Sequence, residues 1–261
     1  MFVTSWRLIP LLEAPGAVQM AIDAWLWRSH QQGNHPPTLR FCTWQPVAIS
    51  LGVSQRRNIP DHWRSLTWRG QPVDLVKRPS GGRGVLHQGE LTYAIVTNAP
   101  PGNREQSYRA LCEFLIQGWA ELGVALRFGG RDCAKRSAPG DCAQRSAPGD
   151  RAYIKSPNCF GLSTRADLVD VQGRKRIGSA QRRQGQTVLQ HGSMLLNPDP
   201  ALFTEVFGQA PPNILVSTPI PQITTALTRA AATCFVAEFV EQPLTPQEWA
   251  EIKALQGEFV G

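Results

Sequence analysis

Three short runs of this sequence hold residues that could do chemistry. The first is Lys77-Arg78-Pro79-Ser80-Gly81-Gly82-Arg83-Gly84-Val85-Leu86-His87. Gly81, Gly82 and Gly84 allow the backbone to approach a ligand closely. Consecutive loop N–H groups can hold an anion or a carbonyl oxygen. Arg78 adds a fixed charge with bidentate reach. The run is not a Walker loop, since no Gly-Lys-Ser/Thr follows. On these residues alone, a tight hairpin turn explains the glycines as well. The second run is Asn158-Cys159-Phe160, followed by Asp167-Leu168 and Gly173-Arg174-Lys175. A thiol in a loop becomes a nucleophile when a nearby cation stabilises its thiolate, and Lys175 could return to Cys159 across a strand pair. The alternative is that Cys159 is a small buried residue. The third run is Gly178-Ser179-Ala180-Gln181 with Gln190-His191-Gly192-Ser193 beyond it. Its small residues would floor a pocket. His191 is either a base or a satisfied histidine beside a turn.

These runs need elements to position them. Ser5 to Pro10 reads as an opening strand. A helix over about 14–30 follows, with Ala17, Met20, Ala21, Ala24, Trp25 and Trp27 on one broad face. Pro36 and Pro37 exclude helix and restart extended chain. Thr38 to Ser50 gives two strand signals broken at Gln45-Pro46. Val73–Lys77, Val85–His87 and Leu91–Thr97 read as strands on either side of the glycine loop. Ser107 to Gly123 is an amphipathic helix with Leu111, Phe114, Leu115 and Trp119 on one side. Leu168–Val171, Arg176–Gln181 and Thr187–Leu196 are strands again. The spacing predicts two helices in the tail, Ile223–Val240 and Pro246–Gln256, the second opened by Thr245-Pro246. Strands with few helices between them fit an α+β domain with a mixed, largely antiparallel sheet. The expected division is a domain over 1–210 and a helical C-terminal extension over 211–261 packed on it. DCAKRSAPG (132–140) is followed at once by DCAQRSAPG (141–149). This tandem repeat is polar and turn-rich, and it reads as a duplicated surface loop over 132–150.

The chain has 261 residues and an apolar fraction of 42%, enough for one large domain with its own core. Its formal net charge of +7 suits an acidic partner. No Lys/Arg block is long enough for a nucleic-acid tail, so no nucleic acid is expected. The six cysteines show no C-x-x-C and no zinc-ligand spacing, so no metal is expected. No run of about 18 apolar residues exists and no secretory signal leads the chain. The expectation is a cytoplasmic protein, off the membrane, with reduced thiols, and monomeric.

Taken in order, the motifs resemble the lipoate–protein ligase and octanoyltransferase family, which shares a catalytic domain with biotin ligases. Met20-Ala21-Ile22-Asp23 is similar to the family's first-helix signature. Arg40, Trp44, Ser50-Leu51-Gly52 and Gln55 match its early strand pair. Residues 78–87 with Glu90-Leu91-Thr92-Tyr93 match its substrate loop and next strand. Asp167-Leu168, Gly173-Arg174-Lys175 and Gly178-Ser179-Ala180-Gln181 match the segment with the family's lysine, and His191-Gly192-Ser193-Met194-Leu195-Leu196 the strand after it. The resemblance spans about residues 5–197 and is closest to the cysteine-dependent octanoyltransferases, whose nucleophile stands at Cys159.

The resemblance implies catalytic roles for Cys159 and Lys175. It implies substrate-binding roles for Arg78, Ser80, Gly81, Gly82, Gly84, His87, Gly178, Ser179, Ala180, His191 and Gly192. An octanoyl group would pass from acyl carrier protein to Cys159. From there it would pass to a lysine of a lipoyl domain, such as glycine-cleavage H protein. No cofactor is needed on that route, because the donor thioester already carries the activation. The alternative within the family is an ATP-dependent lipoate ligase, using ATP and Mg, with Lys175 on the phosphate and carboxyl oxygens. A biotin ligase fits less well, since its Gly-Arg-Gly-Arg loop is absent. A module that binds lipoyl domains without catalysis is the non-enzyme alternative.

Overall fold

The computed structural model describes residues 3–55, 59–129, 158–160 and 167–261. The duplicated loop over 132–150 lies outside the described residues. The chain runs β1 (Thr4–Ala14), α1 (Gly16–Gln31), β2 (Thr38–Trp44), β3 (Ala48–Leu51), β4 (Thr67–Trp68), β5 (Gln71–Pro72), β6 (Asp74–Lys77), β7 (Val85–His87) and β8 (Glu90–Asn98). It continues through α2 (Arg104–Ala110), α3 (Glu113–Glu121), β9 (Arg127–Phe128), β10 (Leu168–Val169), β11 (Lys175–Gln184), β12 (Thr187–Leu195), α4 (Pro200–Phe207), α5 (Ile220–Phe235), β13 (Ala237–Glu241) and α6 (Pro246–Leu255). Among the described residues the main sheet has the order β13-β1-β2-β8-β12-β11-β10-β9. β1 pairs in parallel with β13 and β2, and the remaining pairs are antiparallel. A smaller sheet has the order β6-β3-β7. This is the mixed, largely antiparallel α+β architecture expected from the sequence.

Alternation along the central strands decides what each face covers. Leu91, Tyr93, Ile95 and Met194 point to one face, where they meet Phe114, Leu115 and Trp119 of α3 and Ile223 and Leu227 of α5. Ala94, Val96 and Leu189 point to the other, against Met20, Ala24 and Trp27 of α1 and Ile252 of α6. A third cluster joins the small sheet to Leu202, Phe203 and Val206 of α4 and takes in Phe160. Both faces of the central strands are covered, so β8 is buried almost throughout. No helix among the described residues is long and apolar enough to cross a membrane.

Several element boundaries differ from those predicted. The helix predicted over 107–123 starts earlier, at a capping box between Asn103 and Gln106, and is interrupted at Leu111-Cys112. α4 was not predicted from sequence. It opens on Asp199, whose carboxylate accepts from the Ala201 and Leu202 amides, with Pro200 at its first turn. The helix predicted over 223–240 stops at Phe235, and its last residues form a strand. Val236 takes a left-handed conformation, φ 48°, which ends the helix. Ala237–Glu241 then pairs with β1, from Thr4↔Ala237 to Leu8↔Glu241. A short apolar run such as 235–240 fits either period. Here Trp6 decides it, stacking on Phe235 at 4.8 Å and meeting Phe239 at 5.6 Å.

A buried charge pair fastens the tail to the first strand. Arg7, 4% exposed, bonds both carboxylate oxygens of Glu248 at 2.7 and 2.9 Å, and its remaining bonds run to the Gln242 and Pro243 carbonyls. Burial alone would raise the Glu248 carboxyl, but the bonds from Arg7 and Thr245 outweigh it and hold the group below the ordinary range. The Glu248 contribution is therefore fully present above the ordinary value of 4.5 and is lost as pH falls through its lower folded value. Glu248→Gln should destabilise the protein by roughly 3 kcal/mol at neutral pH, because it strips a buried arginine of its counter-charge. Urea unfolding across pH 3–7 checks this. The gap between wild type and variant should close toward the acid end of that range.

Candidate active site

Lys175 is the first residue of β11, and the turn before it is tightly specified. Asp170 accepts from the Gln172 and Arg174 amides at 3.0 and 2.9 Å and pairs with the Arg174 guanidinium at 2.8 Å. Gly173 supplies the positive φ of 81° that this turn requires. The hairpin therefore delivers the Lys175 side chain at a fixed place. Its Nζ donates to the Cys159 carbonyl at 2.7 Å and lies 3.5 Å from Cys159 Sγ. It pairs with Asp167 Oδ1 at 2.9 Å and stands 5.4 Å from the centre of the Phe160 ring. Lys175 and Asp167 are both buried, whereas Cys159 is half-buried.

The glycine loop holds Cys159 from the other side. The Cys159 amide donates to the Gly84 carbonyl at 3.0 Å, and Asn158 forms a parallel bridge with Gly84. The buried Asn158 side chain accepts from the Phe160 amide at 2.8 Å, closing a turn around the cysteine. Gly178 completes the arrangement. A Cβ there would stand 2.9 Å from Lys175 Cε, 3.1 Å from Cys159 Sγ and 3.2 Å from Lys175 Nζ. The Cys159 and Lys175 side chains occupy the space that any larger residue would need.

Strand alternation divides the third motif between two faces. Gly178 and Ala180 lie on the Cys159 face, and His191, the partner of Ala180, lies there too. Ser179 and its partner Gly192 turn the opposite way. The Ser179 hydroxyl bonds the Tyr93 hydroxyl at 2.7 Å, and that hydroxyl also accepts from Gln190 at 3.2 Å. Ser179 and Gly192 thus belong to a polar cluster beneath α2 and α3, not to the pocket floor expected of them, because neighbouring residues of a strand face opposite ways.

Arg78 lies beneath the loop, 4% exposed. It donates to the Gly81 carbonyl at 3.1 and 2.8 Å, the Arg83 carbonyl at 2.6 Å, and the Ser50 carbonyl and hydroxyl at 2.9 and 3.1 Å. These bonds curl Gly81–Arg83 around one guanidinium. Gly82 adopts φ 93°, and a Cβ on it would meet Arg78 Nη2 at 2.7 Å. His87 stacks on Trp44 with ring centres 3.6 Å apart. It bonds Ser50 Oγ at 2.8 Å and Glu90 at 3.1 Å. Burial lowers the His87 pKa, against the pull of Glu90. Glu90 also accepts from Thr92 and Ser193. Ser80 contacts His191 Nε2 at 2.5 Å, and His191 Nδ1 meets Asp23 at 2.7 Å. Asp23 is fully buried. Burial would raise its carboxyl, but Arg40, bonded at 2.8 Å, and His191 hold it below the ordinary range.

Asp23, Asp167 and Glu90 were present in the sequence motifs but had no role assigned to them. Asp23 carried a usable signal. A carboxylate three residues from Met20 and four from Trp27, on the buried stripe of a helix, must find a cation. Asp167 and Glu90 gave no such signal in periodicity.

The family described as Lipoyl protein ligase A/B catalytic domain matches residues 15–252. An octanoyltransferase LipM of Kyrpidia tusciae is 37% identical over 207 residues, covering 76% of this chain and 69% of that protein. The octanoyltransferase LipM of Symbiobacterium thermophilum is 38% identical, covering 77% and 69%. That of Bacillus subtilis is 33% identical, covering 78% and 69%. Among solved structures, a lipoate-protein ligase A bound with ATP superposes with a TM-score of 0.70 at 20% identity, covering 98% of this chain and 95% of that one. A bi-partite lipoate protein ligase from Thermoplasma acidophilum gives 0.69 at 21% identity, with 98% and 93% covered. The ligases establish the fold; the match over residues 15–252 and the octanoyltransferase relatives show that this chain belongs to the lipoyl protein ligase A/B catalytic-domain family.

Proposed function

We propose that this chain is an acyltransferase that moves an octanoyl group to a protein lysine in lipoate assembly, through a thioester on Cys159. The observation that carries the reading is the ammonium of Lys175 beside the half-buried sulfur, 3.5 Å from it. An ammonium at that distance stabilises negative charge on the sulfur and on an oxyanion forming beside it. The donor is a carrier-bound octanoyl thioester such as octanoyl-acyl carrier protein. Cys159 attacks its carbonyl, the carrier thiol leaves, and the acyl group stays on the enzyme as a second thioester. The acceptor lysine, on a lipoyl domain such as that of glycine-cleavage H protein, then attacks this carbonyl and releases the cysteine. Thioester exchange is nearly isoenergetic and amide formation is downhill, so the route runs without ATP. The net charge of +7 favours encounter with acidic partners.

Each part of the site has a place in this route. The loop from Ser80 to Gly84 forms one wall above the sulfur, with Arg78 as its internal brace. Asp167 fixes the Lys175 ammonium against the cysteine. Gly178 and Ala180 leave room for the acyl carbon. His87 and Glu90 support the loop from below through Ser50. In the ligase alternative, Lys175 would contact the carboxyl and phosphate oxygens of an acyl-adenylate and Cys159 would be dispensable.

Intact-protein mass spectrometry with octanoyl-acyl carrier protein and no ATP should show an octanoyl adduct, absent in Cys159→Ala. Acceptor octanoylation that requires ATP and free acid, and that survives Cys159→Ala, would establish the ligase route instead. Gly178→Ala should slow adduct formation by about 100-fold, because its methyl must displace Cys159 or Lys175 from reacting geometry. Stopped-time mass spectrometry measures that rate, and circular dichroism should show the sheet intact.

A further inference from the structure

Two buried carboxylate–imidazole–serine chains lie beneath the glycine loop. One runs from Glu90 through His87 to Ser50, at 3.1 and 2.8 Å. The other runs from Asp23 through His191 to Ser80, at 2.7 and 2.5 Å. In each, Nδ1–H donates to the carboxylate. The Nε2 of a neutral ring is then an acceptor, and the serine hydroxyl donates to it. The chains differ at their outer ends. Ser50 Oγ also receives Arg78 Nη1 at 3.1 Å, so its oxygen is taken by the brace of the loop. Ser80 Oγ bonds only His191 among the described residues, which leaves its lone pairs open to an N–H donor. Ser80 is buried. A donor reaching it must come at the tip of an unbranched side chain, as a lysine amine does.

The open chain ends at the start of the loop that holds the nucleophile. Ser80 begins the loop that ends at Gly84, and the Gly84 carbonyl holds the Cys159 amide. On the sheet below, Gly178 touches the sulfur. Ala180, the partner of His191, stands two residues along the same face, about 6.6 Å away at strand spacing. Lys175 is arranged as a donor, to the Cys159 carbonyl and to Asp167, and not as an acceptor for another proton. Among the described residues, the charged and titratable groups facing the His191 ring include Asp23 from α1, Arg40 behind it on β2, and His87 from β7. Asp23 is kept anionic by Arg40 and can stabilise an imidazolium.

We infer that Ser80, His191 and Asp23 form the proton relay of the second half-reaction, taking the proton that the acceptor amine must lose. The inference rests on the reading of Cys159 as the acylated residue. The acceptor lysine arrives as an ammonium, and one of its protons passes to Ser80 Oγ as the Ser80 proton passes to His191 Nε2. The free amine nitrogen then bonds to the acyl carbon, the carbon–sulfur bond breaks, and the second nitrogen proton goes to the departing Cys159 sulfur. The imidazolium later releases its proton to solvent. Transfer from the donor to Cys159 involves no amine and does not use the relay, so Ser80 and His191 move a proton in one half-reaction only.

The test separates the half-reactions. Acyl-enzyme formation is followed by intact mass after mixing with octanoyl-acyl carrier protein. Its decay is followed after adding lipoyl-domain acceptor across pH 6–10. Ser80→Ala and His191→Gln should slow passage to the acceptor at pH 7 about 100-fold more than they slow acyl-enzyme formation. Their transfer rate should climb with pH toward the ionisation of a free lysine, near 10.4, where the wild type reaches its plateau earlier. Ser80→Thr, which keeps the hydroxyl, should restore transfer. Cleavage of the acyl-enzyme by hydroxylamine, an amine uncharged at neutral pH, should be unchanged in all of them. Equal slowing of both half-reactions, or transfer with the wild-type pH profile in Ser80→Ala, would overturn the relay. No acyl-enzyme in the wild type would overturn the Cys159 reading and the relay with it, and is recognised before any acceptor is added.

Discussion

The volume above Gly178 is the constraint on which the site depends. Lys175 reaches into it from three residues earlier on the same strand, and Cys159 from the far side, so a Cβ at 178 would stand about 3 Å from both. The dyad exists only because β11 lacks a side chain there. The rest of the arrangement serves that contact. The Asp170 turn starts β11 at Lys175. The bridge from Asn158 to Gly84 brings Cys159 over the strand. Pairing of β11 with β12, from Ile177↔Met194 to Gln184↔Thr187, sets the register. A slip of one residue would turn Gly178 away and put Ser179 under the sulfur.

Several full charges lie in this neighbourhood with little access to water. Such charges are costly unless paired and hydrogen-bonded, and here each meets partners: Lys175 with Asp167, Arg40 with Asp23, and Arg78 with the carbonyls of its own loop. Arg78 gives the clearest case of a buried charge shaping a loop. Its guanidinium collects carbonyls from Gly81 and Arg83, pulling a glycine-rich segment into one conformation. A loop held this way is ordered before any ligand arrives, which reduces the entropic cost of recognition. The same rigidity keeps Gly84 over Cys159 and Ser80 over His191.

Much of this was legible in the residues. The glycine loop, the cysteine and the lysine stood out by type, and their order along the chain resembled one family. The α+β sheet followed from β-prone runs such as 91–97 and 187–196 with few helices between the strands. What was not legible came from two sources. Local pattern did not tell which way a strand faces the site, so Ser179 and Gly192 were grouped with Gly178. It also did not tell helix from strand over 235–240, where Trp6, more than 200 residues away in the chain, decides the outcome. The carboxylates Asp23, Asp167 and Glu90 gained meaning only when folding set them against His191, Lys175 and His87.

The central claim is that the acyl group rests on Cys159 between donor and acceptor. The most direct measurement is a chase of isolated octanoyl-enzyme, purified from donor protein and free of nucleotides, into an apo lipoyl domain. The account predicts that octanoyl appears on the acceptor lysine as it leaves the enzyme, in equal amounts and at no less than the steady-state rate. An octanoyl-enzyme that holds its acyl group in the presence of acceptor, or yields it only to water, would contradict it.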